Sequence, residues 1–391
     1  MKVHGNIKVL TWFNFFTDFK LYAPIAIIYF AKISGSYALG MAVFSITMVA
    51  SALFELPTGV FSDMIGRRKT VIWGAAAAVI YSIFYAAGIS FWVLALGAVF
   101  EGLSRAFYSG NDDALLHDSL AENHNEKEYS KFLGQVSSMF QLALAVAGIL
   151  GSVMASWSFP LIMWLSVIPQ GICLWLATKL VEPKVNTDGE TNIYAHLKEA
   201  VKQFVGNKKL RYLGLVSTIS YATGESSYLF MAAFYQSLWP LWAIGFGKTL
   251  SNVGAFLSFK VSGKIVKKHG EAKVLMVAKI YNRVVNMIAT AIPTVLSPLL
   301  MASSSLWFGL TEVAQNSLMQ KEFTQKQRAT MGSLNSFFGS LLFGVVSVSM
   351  GAVADKLSPG RAILLFQIVT MPLLLVYWLL FKDEKQAEVK S

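Results

Sequence analysis

The chain has 391 residues, 55% hydrophobic and only 14% charged, with a mean hydropathy of +0.53 and a formal charge of +11. Soluble chains run at about 45–50% apolar and about 25% charged, so this composition argues against a soluble enzyme. A basic excess in so apolar a chain is explained by Lys and Arg that retain cytoplasmic loops, and no nucleic-acid partner is expected.

The first residues, Met1 to Val9, lack the form of a cleaved signal, so the first apolar run is expected to be retained. Runs of spanning length cover about 8–30, 38–60, 70–88, 91–111, 132–156 and 159–180, and then 210–236, 239–262, 272–292, 295–317, 333–354 and 361–381. A span needs about 20 residues and its backbone must satisfy itself, so these runs predict an all-α polytopic membrane protein of twelve helices. Breaks at Gly88-Ile89-Ser90, Trp157-Ser158 and Trp239-Pro240 read as tight hairpins. The single cysteine, Cys173, permits no intrachain disulfide.

Charge sets the expected topology. With the N-terminus inside, Lys32, Lys356 and Arg361 fall in outer loops, and Lys20, Arg105, Lys248, Lys279 and Arg283 fall in spans. The rest of the 33 Lys and Arg are cytoplasmic, which predicts both termini inside the plasma membrane. The interval 182–209 then divides an N-terminal six-helix bundle (1–181) from a C-terminal one (210–391). Within it Ile193, Leu197, Val201, Phe204 and Val205 recur at helical spacing, as an amphipathic helix on the inner membrane surface or a solvated linker helix.

An internal repeat supports two halves. Gly59-x3-Asp63-x2-Gly66 follows the second run, and Gly263-x3-Lys267-x2-Gly270 follows the eighth, 204 residues later. Duplicated halves around a midplane site are a recurring transporter plan.

The stretch Gly59-Val60-Phe61-Ser62-Asp63-Met64-Ile65-Gly66-Arg67-Arg68-Lys69 resembles the loop 2–3 signature of the major facilitator superfamily. Ser109-Gly110-Asn111-Asp112-Asp113-Ala114-Leu115-Leu116-His117-Asp118 is similar to the end of helix 4 in the macrolide-efflux-like branch of drug:proton antiporters. The family's span-four arginine is absent from Ala98-Val99-Phe100-Glu101-Gly102, and no proline follows Gly148-Ile149-Leu150-Gly151. The resemblance implies two pseudo-symmetric bundles rocking about a cavity lined by helices 1, 4, 7 and 10. It also implies a cytoplasmic gate built from Gly59, Asp63, Gly66, Arg67, Arg68, Asp113 and Asp118.

Charges inside spans are costly, at about 2.5–3.5 kcal/mol each on insertion scales, and therefore mark a cavity or a partner. Asp18 and Lys20 lie in span 1, Glu101 and Arg105 in span 4, Glu225 in span 7 and Glu312 in span 10. Asp18, Glu101, Glu225 and Glu312 are the proton-coupling candidates, since a carboxyl in apolar surroundings can exchange a proton near neutral pH. The competing reading is that these groups pair and only hold helices together. The repeat also suggests pairing of Lys20 with Glu225 and of Arg105 with Glu312. Lys20, Arg105 and the rings of Tyr22, Tyr221 and Tyr228 are substrate-cavity candidates, because aromatic faces beside carboxylates suit organic cations. Each ring could equally be packing.

Gly247-Lys248-Thr249 mimics the end of a phosphate loop, but Trp242 stands where the first glycine is needed and the segment lies within a span. No nucleophile–base constellation, metal site or cofactor motif is found, and protons are the expected coupling ion. The sequence thus predicts a monomeric secondary transporter, not an enzyme, exporting an amphipathic or cationic compound in exchange for protons. Proton-coupled uptake of a polar nutrient and lipid flipping are the alternatives.

Overall fold

The computed structural model describes residues 2–122, 125–183, 202, 204, 206–322, 328–379 and 382. The amphipathic segment predicted around Ile193 to Val205 lies largely outside them, as does the side chain of Asp63. All regular elements among the described residues are helical.

Contacts divide the chain into two compact units, one of Met1–Gly189 with Pro240–Phe246 and one of Glu190–Trp239 with Gly247–Ser391. The first contains α1 (Lys2–Asp18), α2 (Ala26–Ser34), α3 (Tyr37–Ile65), α4 (Arg67–Ala87), α5 (Phe91–Tyr108), α6 (Asn111–Ala121), α7 (Tyr129–Ala155), α8 (Phe159–Leu165) and α9 (Val167–Lys179). The second contains α10 (Lys208–Gln236), most of α11 (Leu241–His269), α12 (Glu271–Ala291), α13 (Ser297–Ser303), α14 (Phe308–Glu322), α15 (Arg328–Lys356) and α16 (Pro359–Val369).

The sequence repeat is also a repeat of geometry. α3 and α11 each have 29 residues, and α4 and α12 each have 21. Between them stand Gly66 at φ +97° and Gly270 at φ +80°, in the left-handed region that only glycine enters freely. The two glycine motifs therefore make the same sharp turn between the same pair of helices.

Seven helices among the described residues are long and apolar enough to cross a membrane. The other predicted runs are helical but interrupted or diluted. The first run breaks after Asp18, and the tenth is broken by a 3-10 turn at Ser304–Trp307. α10, α11 and α12 carry charged residues along their length, among them Glu225, Lys248 and Arg283. The first unit packs around Leu10, Phe13, Val71, Ala75 and Leu115, and the second around Leu210, Val216, Leu275, Ala314 and Leu318. Trp92 and Trp157, beside the predicted outer hairpins, are 78% and 76% exposed, as interfacial rings are.

Candidate functional site

In the first unit the site begins with a broken helix. α1 ends at Asp18, and a 3-10 turn over Ala23–Ile25, with Pro24 inside it, leads into α2. Backbone freed by such a break needs partners at membrane depth. The hydroxyl of Ser166, between α8 and α9, accepts the Leu21 N–H at 3.1 Å. Gln170 Nε2 donates to the carbonyls of Phe16 and Thr17 at 3.3 and 3.4 Å. Gly151 of α7 leaves the space required: a Cβ there would lie 1.8 Å from the Leu21 carbonyl oxygen.

The break presents Lys20 to α5. Glu101, 7% exposed, receives Lys20 Nζ at 3.4 Å and Arg105 Nη2 at 3.2 Å on Oε1. Its Oε2 accepts the hydroxyls of Tyr85 at 2.8 Å and Thr47 at 3.3 Å. Lys20 Nζ also stands 5.3 Å from the centroid of the Tyr81 ring. Both cations that the repeat would pair with Glu225 and Glu312 thus meet Glu101. Asp18 is half-buried within electrostatic reach of Lys20, Arg105 and Glu101, and no ion pair or side-chain hydrogen bond engages it among the described residues. Tyr22 is packed in the core, 5% exposed, with its ring edge-on to Tyr85.

The glycine motif lies at the other end of these helices. Arg67 reaches Asp118 of α6 at 3.9 Å and donates to Ser62 and Asn111 at 3.2 and 3.3 Å. Ser62 and Asn111 are hydrogen-bonded to each other. Arg68 donates to the Thr178 carbonyl at 3.0 Å. Gly59 lies within α3 with open space around it, and Asp113 is exposed on α6. The sequence reading missed Glu182, which accepts the backbone N–H groups of Arg67 and Arg68 at 2.7 and 2.8 Å. It also missed Asn6, whose amide bonds both the N–H and the carbonyl of Val181 and the hydroxyl of Ser119. The only signal for either was a polar residue just beyond the end of an apolar run.

The second unit holds an open cavity of about 610 Å³. Glu225, Glu312, Tyr221 and Tyr228 all line it. Lys279 and Arg283 of α12 line it too. Arg283 is tied to α16 through the carbonyls of Gln367 and Thr370, the Gln367 side-chain oxygen and the Thr370 hydroxyl. Lys248, 6% exposed, donates to the Tyr228 carbonyl and lies over the Tyr228 ring, 3.7 Å from its centroid. Much of the remaining lining is amide and hydroxyl: Asn282, Asn286, Gln315 and Asn335 among serines and threonines. Sequence reading missed these amides because neutral polar residues cost little in an apolar run and leave no charge signal.

The family model described as Major Facilitator Superfamily matches residues 9–348. The "Uncharacterized transporter BU466" of Buchnera aphidicola subsp. Acyrthosiphon pisum is 26% identical over 171 residues, which is 44% of this chain and 42% of that protein. The "Inner membrane transport protein YajR" of Escherichia coli is 28% identical over 105 residues, 27% of this chain and 22% of that one. The chain thus matches less than half the length of these curated relatives. Among solved structures, nucleoside transporter NupG superposes with a TM-score of 0.81 at 14% identity, covering 98% of this chain and 100% of that one, a likeness of fold.

Proposed function

Because the chain belongs to the major facilitator superfamily, we propose that it is a secondary transporter that moves a small polar organic solute by alternating access, coupled to protons. Twelve spans, cytoplasmic termini, a plasma-membrane location and a monomeric state complete the proposal. The observation that carries it is the group Asp18, Lys20, Glu101 and Arg105, gathered at a helix break among apolar helices. Ionisable groups within membrane helices are expensive, and their default reading is function.

The roles divide by bonding. Glu101 is held by two cations and two hydroxyls, so it is assigned to fix Lys20 and Arg105 in position. Asp18 has no such engagement and is assigned as the proton carrier. Glu225 and Glu312, on the second unit's cavity, are the next candidates. The glycine motif is assigned to the cytoplasmic gate, with Arg67–Asp118 as its ion pair.

The cavity lining favours a polar solute over an amphipathic drug. Amide and hydroxyl side chains are the most numerous among its lining residues, whereas two of the first span's rings are placed elsewhere: Tyr22 is in the core and Trp12 is 45% exposed. That observation moves the weight from drug efflux to the polar-nutrient reading. The fold likeness to a nucleoside transporter is compatible with it. The test is substrate-triggered proton flux in liposomes under an imposed pH gradient, with wild type and Asp18→Asn run together. Flux lost in Asp18→Asn supports the assignment, and its sign reads symport or antiport. Flux unchanged in the variant moves the proton site to Glu225 or Glu312, and lipid movement without solute flux would replace transport by flipping.

A further inference from the structure

Five residues that line the second unit's cavity carry buried side-chain oxygens that have no hydrogen-bond partner. Asn286 is 7% exposed, and its Nδ2 donates to the Asn282 carbonyl at 2.7 Å. A backbone carbonyl can only accept, so the atom bonded to it must be the nitrogen, and Oδ1 is left without a donor. Gln315 bonds the Ser217 hydroxyl at 2.8 Å through Nε2, and its Oε1 has no partner. The hydroxyls of Thr311 and Ser227, each 5% exposed, and Asn282 Oδ1 are unpartnered as well. All five residues line the one cavity, from α10, α12 and α14.

A buried polar atom left unsatisfied costs about 1–3 kcal/mol, so acceptors gathered in this way call for a visitor that brings donors. Because they come from three helices, a single point charge does not satisfy them together, whereas several hydroxyls on one small ring do. The charged lining balances, two carboxylates (Glu225, Glu312) against two cations (Lys279, Arg283), which gives a net-charged solute no advantage. The volume of about 610 Å³ lies within the usual range for small-molecule sites.

We infer that this cavity is the binding site for a neutral, polyhydroxylated solute of sugar or nucleoside size, with Asn286, Thr311 and Gln315 accepting its hydroxyl protons. The inference rests on the transport reading for its biological sense, but the site itself needs only binding. The test is therefore equilibrium binding to the purified full-length protein in detergent with no gradient. The probes are D-glucose, xylitol and uridine, with tetraphenylphosphonium and gluconate as charged comparators.

At least one neutral probe should bind and raise the melting temperature. Thr311→Val and Asn286→Ala should each weaken it about 3- to 10-fold, the worth of one hydrogen bond. Thr311→Val keeps the side chain's shape and removes an unsatisfied hydroxyl, so its unliganded melting temperature checks that the fold is intact. Tighter binding of tetraphenylphosphonium or gluconate than of every neutral probe would overturn the inference. So would neutral binding that neither variant weakens, or no neutral binding at all. Polyol binding without flux in liposomes would sink the transport reading and leave this site standing, and cation flux without polyol binding would do the reverse.

Discussion

The carboxylate of Glu182 stands where a side chain on Gly66 would begin: a Cβ there would meet Oε1 at 2.8 Å. The same carboxylate caps the first two N–H groups of α4, which suits the positive end of a helix. It also sets a negative charge at a helix start that carries Arg67 and Arg68. The glycine, the cap and the arginines are thus one device at the head of α4.

Gly270 makes the equivalent turn in the second unit with nothing within 4 Å of its absent Cβ. Alanine at either glycine must hold a left-handed backbone, at about 1–3 kcal/mol. Gly66→Ala should lose about 1 kcal/mol more than Gly270→Ala, because it also displaces the cap. Thermal melting of both variants in detergent checks this. The difference should vanish in a Glu182→Ala background, and equal losses in the wild-type background would remove Glu182 from the account.

Glu101 predicts a ranking of single substitutions. Glu101→Gln leaves the buried Lys20 without its counter-charge, at about 3–5 kcal/mol. Arg105 has a half-exposed side chain, so Arg105→Gln should cost about 1 kcal/mol or less. The double variant Lys20→Met, Glu101→Gln should recover most of the Glu101→Gln loss, since Lys20 is then not left without its partner. A melting series that shows additive losses would mean that the pair is not coupled.

Why some of this was legible in the sequence, and some not, follows from the residues. Gly66 and Gly270 were legible because a backbone that needs φ above zero narrows the choice of residue. Asp18, Lys20, Glu101 and Arg105 stood out because charge is conspicuous in an apolar run. The break after Asp18 was hidden: Phe19 to Ile28 stays largely apolar, and only Pro24 marked it. Its partners Ser166 and Gln170 are distant in sequence and unremarkable locally. Glu182 acts on backbone N–H groups of another helix, and such a partnership has no sequence period. Tyr22 and Tyr228 are equivalent as composition, yet one packs in a core and the other lines a cavity.

Two carboxylates at helix ends of the second unit give a pH dependence. Burial opposes ionisation of Glu271, but hydrogen bonds from Lys321, at 2.8 Å, and Ser317 outweigh it and hold the group below its ordinary 4.5. Burial of Glu322 is likewise outweighed by Lys209, at 2.9 Å, and Asn207. Folding therefore favours the ionised forms. Their contribution is full above the unfolded value near 4.5 and is lost as pH falls through the lower folded values. Melting temperature should fall on acidification through that window, and less steeply in the double variant Lys209→Gln, Lys321→Gln. An unchanged slope would show that neither pair contributes.

The close approach of Gly151 to Leu21 sets two glycines of one helix against each other. Gly134, also in α7, has nothing within 4 Å of an added Cβ, so Gly134→Ala should gain up to about 1 kcal/mol from helix propensity. Gly151→Ala meets the Leu21 carbonyl, an atom of fixed backbone rather than a side chain that can swing away. That carbonyl belongs to the break held by Ser166 and Gln170, so any shift is passed to Lys20 and Asp18 beside it. Gly151→Ala should therefore lower the melting temperature and also reduce proton-coupled flux, while Gly134→Ala leaves flux unchanged. If Gly151→Ala destabilised the protein with its flux per folded molecule intact, the break would be a packing feature and the coupling role of Asp18 would have to stand without it.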